Sequence, residues 1–171
     1  DALEMAAILI DIQPGDEVIV PTPFWVSYPE QVRVAGGCPV FLPTREDDGF
    51  RLAPEALEEA INSRTKALVL NSPCNPTGAV YSREDLAGLA SVLHDTQVVV
   101  VSDDIYQKLV YGETSFAGIL EVAPELRDRV VIVNGVSKTY AMTGWRIGHA
   151  AGPESLIAAM ERLQSQSTSN P

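Results

Sequence analysis

Apolar positions along this chain follow two rhythms. Short runs at Glu17 to Val20, Pro39 to Leu42, Ala67 to Leu70, Gln97 to Ser102 and Val130 to Val133 have the length and β-branched content of strands. Between them, apolar residues return about every three to four positions over Trp25 to Val34, Pro54 to Ile61 and Ser82 to His94, the spacing of helices with one buried face. Punctuation agrees with this division. Pro14-Gly15-Asp16 predicts a turn, Gly36-Gly37 closes the first of these helices, Pro54 opens the second, and Ser82 followed by Asp85 resembles a capping box. The pattern also predicts helix over Asp1 to Asp11 and over Ile119 to Arg127, the latter interrupted by Pro124. A strand follows at Arg146 to Ala150, and a last helix runs from Pro153 to about Gln164.

Strand and helix therefore alternate with short links. The four consecutive valines Val98 to Val101 suit a strand covered on both faces. These features predict a three-layer α/β/α fold with a mostly parallel sheet. Because the pattern opens inside one helix and stops just after another, we expect residues 1–171 to be a piece of a longer chain. The longest apolar runs are too short to cross a bilayer, so no membrane partner is expected. The net charge of −11 and the lack of any basic run argue against a nucleic-acid partner, while leaving room for a small anion held by one or two cations. Cys38 and Cys74 have no metal-ligand spacing and form no disulfide framework, which points to a reducing cytoplasm. His94 and His149 likewise lack neighbours at ligand spacing, and no metal site is expected.

In open α/β sheets, ligands gather at the carboxyl ends of strands. Three loops qualify, and each is chemically rich: Asn75-Pro76-Thr77-Gly78 after the third strand, Asp103-Asp104-Ile105-Tyr106 after the fourth, and Ser137-Lys138 after the fifth. Lys138 stands alone among small and apolar residues, which predicts lost hydration and a nucleophilic neutral amine. Together these residue types suit a carbonyl cofactor with a basic ring nitrogen, a phenol oxygen and a phosphate, which is pyridoxal phosphate. Lys138 can form the imine, and a carboxylate such as Asp103 can keep the ring nitrogen protonated. Asn75 and Tyr106 can donate to the phenolate, Arg146 can fork onto the phosphate, and Trp25 can stack on the ring. Taken singly, each has a plainer reading. Lys138 can snorkel, Trp25 can be core, Asn75-Pro76 can be a turn, and Asp104 can compete with Asp103.

The segments NPTG (Asn75 to Gly78), SDDIY (Ser102 to Tyr106) and SKTYAMTGWRIG (Ser137 to Gly148) occur in order, preceded by PTPFWVSYPE (Pro21 to Glu30). They resemble the large domain of class I, fold type I, pyridoxal-phosphate aminotransferases, and within that family the bacterial aspartate aminotransferase group. The resemblance implies that residues 1–171 are the central part of the cofactor-binding large domain, without an N-terminal segment and a C-terminal small domain. It implies Lys138 as the Schiff-base lysine and the proton shuttle between the substrate α-carbon and cofactor C4′. It assigns Asp103, not Asp104, to the pyridine nitrogen, Tyr106 and Asn75 to the phenolate, Arg146 to the phosphate, and Trp25 to ring stacking. Trp25 and Asn75 also fall at the substrate side, Asn75 against its carboxylate. The family often carries Ser or Thr where this chain has Gly135, so Ser137 is the expected substitute on the phosphate. The Asn75-Pro76 bond is expected to be cis. The Gly-rich phosphate loop is expected before Asp1 and the substrate-clamping arginine after Pro171, so this piece by itself is expected to be inactive. The implied activity is transamination between an amino acid of aspartate or glutamate type and a 2-oxo acid, in a cytoplasmic homodimer. A lyase or decarboxylase of the same fold, or a non-catalytic ligand-sensing domain, are the alternatives.

Overall fold

The computed structural model describes residues 12–167, and the helix expected over Asp1 to Asp11 lies outside them. Among the described residues the short apolar runs form six strands. These are β1 (Glu17–Thr22), β2 (Cys38–Pro43), β3 (Thr65–Asn71), β4 (Val99–Asp103), β5 (Val130–Gly135) and β6 (Gly148–Ala151). The helices are α1 (Ser27–Val34), α2 (Pro54–Ala60), α3 (Arg83–His94), α4 (Ile119–Val122) and α5 (Glu154–Ser167). Local chemistry sets several of these limits. Ser82 accepts from the Asp85 N–H at 3.1 Å while the Asp85 carboxylate accepts from the Ser82 N–H at 2.8 Å, so the expected capping box opens α3. Pro54 occupies the first turn of α2, where its missing N–H costs nothing. Pro124 ends α4 early, and the chain continues to Arg129 as a 3-10 helix.

The strands lie in the order β2-β1-β3-β4-β5-β6. β1 to β5 are mutually parallel, and β6 pairs antiparallel with β5. Alternation along each central strand divides the core between the two faces. Ile19, Leu68, Leu70, Val100 and Val130 pack against Leu57 of α2, Leu86, Leu89 and Leu93 of α3, and Ile119 of α4. Val18, Val20, Val69, Val101 and Val131 pack against Tyr28 and Val32 of α1 and Met160 of α5. The result is the three-layer architecture that the alternating pattern predicts.

Register and strand direction together create the functional edge. Asn71, Asp103 and Val133 are paired in one row across the carboxyl ends of β3, β4 and β5. The last strand starts at Gly148, two residues later than the sequence pattern indicates, because a 3-10 turn at Thr143–Trp145 and a left-handed Arg146 (φ 55°) precede it. Its antiparallel direction sets Gly148 opposite Gly135, bringing the amino end of β6 to the same edge as the carboxyl ends of its neighbours. Arg146 thus reaches the loop side of the sheet although it comes before its strand.

Candidate functional site

The sequence-derived residues are delivered by the ends of five different strands. Trp25 and Tyr28 follow β1, Asn75 follows β3, Asp103 closes β4 with Tyr106 just beyond, and Ser137 and Lys138 follow β5. With Arg146, which precedes β6, they line a single cavity of about 230 Å³. The seven residues singled out from sequence, Trp25, Asn75, Asp103, Tyr106, Ser137, Lys138 and Arg146, are all in its wall. The alternation of β4 separates the two neighbouring carboxylates. Asp103 faces the cavity, whereas Asp104 turns to the other side of the sheet, where the Ser102 hydroxyl donates to it at 2.7 Å.

Asp103 is a buried carboxylate with specific partners. The Tyr28 hydroxyl donates to Oδ2 at 2.6 Å and the Ile105 N–H to Oδ1 at 3.2 Å. Burial pushes its pKa above the ordinary carboxylate value, and these two donors, which bind the charged form, pull it back. Burial, and then the adjacent Asp103 charge, push the Tyr28 phenol far above the ordinary tyrosine range, so Tyr28 is the neutral donor of the pair. Asp104 is pushed up to about 7, chiefly by burial, with the Ser102 hydrogen bond acting in the opposite direction.

Asn71 braces the site from below. Its side-chain amide donates to the Asp103 carbonyl at 2.9 Å and its Oδ1 accepts from the Asn75 N–H at 2.8 Å, so one side chain ties the NPTG turn to the end of β4. That turn closes through the Gly78 N–H to the Cys74 carbonyl at 2.7 Å, with Gly78 at φ 72°, a conformation open to glycine at little cost. Asn75-Pro76 is cis, as expected, and so are Thr22-Pro23 and Ser72-Pro73. Tyr28, Asn71 and the further lining residues Asn134 and Thr143 escaped the sequence reading. A tyrosine in the first turn of an amphipathic helix and an asparagine at a strand end are ordinary core and turn residues by pattern alone. The row that joins Asn71 to Asp103 exists only once β3 and β4 pair.

One expectation is corrected. The apolar sequence around Lys138 predicts a dehydrated amine, but Lys138 is exposed among the described residues. Its Nζ lies 5.8 Å from the centre of the Tyr106 ring. The amine is open to solvent beside an aromatic face, not enclosed by the apolar residues that flank it in sequence. Arg146 is also exposed; its guanidinium donates to the Thr143 carbonyl at 3.1 Å, and its backbone holds a conformation that disfavours branched and long side chains.

The sequence matches the family described as "Aminotransferase class I and II" over residues 1–171. The chain belongs to that family. An aspartate aminotransferase of Geobacillus stearothermophilus is 54% identical over 164 residues, which is 96% of this chain and 41% of the relative. An aspartate/prephenate aminotransferase of Nitrosomonas europaea is 50% identical over 165 residues, covering 96% of this chain and 42% of that relative. Among solved structures, the aspartate aminotransferase of Rhizobium meliloti superposes with a TM-score of 0.95 at 47% identity, over 99% of this chain and 43% of the other. The Thermus thermophilus aspartate aminotransferase with maleate gives 0.90 at 49% identity, again over 99% of this chain and 43% of the other. The chain thus spans about two-fifths of the length of the curated relatives it matches.

Family members work with pyridoxal phosphate, and the donor set of the cavity fits that group. In a chain with 12 cationic and 23 acidic residues, this cavity gathers two cations, Lys138 and Arg146, against one carboxylate, Asp103. It thereby pairs an anion-holding end with an acid able to face a ring nitrogen, and Trp25, Tyr106 and Asn75 supply an aromatic wall and hydrogen-bond donors between them. Among the described residues no three His, Cys, Asp or Glu side chains converge as a metal site, and no helix is long and apolar enough to cross a membrane.

Proposed function

We propose that residues 1–171 are the central part of the cofactor-binding domain of a pyridoxal-phosphate aminotransferase. The whole protein would transfer the amino group of an aspartate- or glutamate-type amino acid to a 2-oxo acid. The observation that carries the reading is the meeting of Lys138, Asp103 and Arg146 in one cavity wall with Trp25, Asn75, Tyr106 and Ser137. The substrate class is supported by relatives named as aspartate and aspartate/prephenate aminotransferases.

In this reading Lys138 Nζ would be the covalent attachment point, Asp103 would serve the pyridine nitrogen, and Asn75 and Tyr106 would donate to the phenolate oxygen. Arg146 and Ser137 would hold the phosphate. Gly135, the place of a frequent family phosphate ligand, has no room for a side chain, since a Cβ there would stand 2.9 Å from the Ile147 carbonyl oxygen and 3.2 Å from the Gly148 Cα. When bound, the group supplies an electron sink for the negative charge that develops at the substrate α-carbon. Asp103 contributes by remaining an anion beside the ring nitrogen, which favours the protonated ring. Trp25 would cover one ring face and keep water from it, and Asn75 would orient the substrate carboxylate. Lys138 Nζ would take the proton from the substrate α-carbon, general-base work worth about 10²–10⁴-fold in rate. The two free cysteines, Cys38 and Cys74, suit a cytoplasmic protein. A homodimer is the assembly this reading expects.

A half-reaction tests it. Full-length protein carrying pyridoxal phosphate, given excess aspartate or glutamate and no 2-oxo acid, should convert its cofactor completely to pyridoxamine phosphate and release one equivalent of oxaloacetate or 2-oxoglutarate. Release of carbon dioxide or ammonia instead would identify a lyase, and binding without conversion a sensor; either sinks the reading.

A further inference from the structure

The carboxylate central to the proposed chemistry is held by a residue that no part of the proposed mechanism uses. Tyr28 is 2% exposed and donates to Asp103 Oδ2 at 2.6 Å. Its ring stands edge-on to Trp25, with centroids 5.4 Å apart and planes at 87°. The same side chain thus touches both the acid that faces the ring nitrogen and the indole that covers the ring.

We propose that Tyr28 is the positioning residue of this site: its hydroxyl keeps Asp103 ionised and fixed in rotation, with Oδ2 anchored, while its ring edge sets the tilt of Trp25. This rests on the cofactor reading above. The physical case is one of charge. A carboxylate as buried as Asp103 loses most of its hydration and drifts towards the neutral acid, which cannot favour a protonated ring nitrogen. Two donors replace the lost water, Tyr28 on Oδ2 and the Ile105 N–H on Oδ1. The Ile105 contact is local to the turn and longer, so the phenol from α1 is the stronger brace. A carboxylate oxygen has two lone-pair directions, and Oδ2 with one taken by Tyr28 keeps one for a second donor. Among the described residues, the other titratable groups around the pair are Tyr106, Lys138 and Arg146 in the cavity wall, Cys74 in the NPTG turn, and Asp104 on the far side of the sheet. None of these is among the hydrogen-bond donors to Asp103, so none substitutes for the phenol.

The experiment uses full-length protein and the variant Tyr28→Phe, which keeps the ring against Trp25 and removes only the hydroxyl. Affinity for pyridoxal phosphate is measured by fluorescence quenching between acid and neutral pH, together with the melting temperature of the cofactor-free proteins. Loss of a hydrogen bond to a charged group predicts roughly 10- to 100-fold weaker cofactor binding. It also predicts that the acid limb, the pH below which cofactor is released, moves upward, because Asp103 neutralises at higher pH without its donor. A double-mutant cycle separates this from general loosening. In an Asp103→Asn background the Tyr28→Phe change should leave cofactor affinity unaltered. Wild type that binds cofactor, with Tyr28→Phe matching it in affinity and acid limb, overturns the inference alone, as does an undiminished Tyr28→Phe effect in the Asp103→Asn background. Wild type that takes up no pyridoxal phosphate overturns both the inference and the reading beneath it.

Discussion

At the scale of single residues, the adjacent acids Asp103 and Asp104 show what sequence leaves open and backbone geometry decides. Both are buried, Asp103 as the last residue of β4 and Asp104 directly after it, yet successive side chains of an extended chain leave on opposite faces, so only Asp103 meets the cavity. The sequence names two candidate acids; the pleat chooses one. Asp104 instead stands against the Ser102 hydroxyl, with Glu121 and Asp103 as its charged neighbours. Its pKa of about 7 in the fold lies above the unfolded value near 4, so between those pH values the folded state holds a proton that the unfolded chain has released. The folded form is then penalised progressively as pH rises through this window. Asp104→Asn removes the titration and retains an acceptor for Ser102. Urea unfolding of the cofactor-free protein should show the variant gaining on wild type between pH 5 and pH 8, ending roughly 1–3 kcal/mol more stable at the upper value. An advantage that shrinks with rising pH would contradict this assignment. Lys138 illustrates the opposite case, in which a chain neighbourhood misleads. Its apolar neighbours in sequence do not enclose it in space, and the exposed amine rests near the Tyr106 ring.

At the scale of elements, strands and helices were legible because their period and punctuation agree. The capping box at Ser82, the Pro54 start and the Pro124 break all act where the sequence puts them. Strand direction was not legible, since Gly148 to Ala151 reads the same in either sense. The antiparallel choice follows from the loop between Val136 and Ile147, which turns back at once and lays Gly148 beside Gly135. At that pair the two backbones come close, and a Cβ on Gly135 would meet the Ile147 oxygen at 2.9 Å and the Ile105 side chain at 3.1 Å. Glycine is there for room. Substituting Gly135→Ser, which restores a hydroxyl frequent in the family, should therefore not strengthen cofactor binding. Overpacking against backbone predicts about 1–3 kcal/mol lower stability and weaker uptake of pyridoxal phosphate, read by thermal melting and by cofactor titration. Tighter binding by this variant would show that the β5–β6 edge yields easily and that the close approach is unimportant.

At the scale of the whole molecule, the alternating pattern specified layers and a parallel sheet, but the order β2-β1-β3-β4-β5-β6 is a property of pairing between distant segments. That order explains the site. The four central strands β1, β3, β4 and β5 end side by side, and β6 reverses to add Arg146 at the same edge. Loops separated by tens of residues in sequence thus contribute one acid, two cations, aromatic rings and an amide to one cavity of about 230 Å³. Tyr28 and Asn71 stayed hidden in the sequence because their shared distant partner, Asp103, reaches them only through this assembly. The proposed attachment point of the cofactor is Lys138, and not Lys66 or Lys108. Borohydride reduction of the full-length protein loaded with pyridoxal phosphate, followed by peptide mapping, measures this directly. The predicted result is a single pyridoxyl adduct on Lys138; an adduct on Lys66, Lys108 or a lysine outside this chain, or no adduct at all, contradicts it.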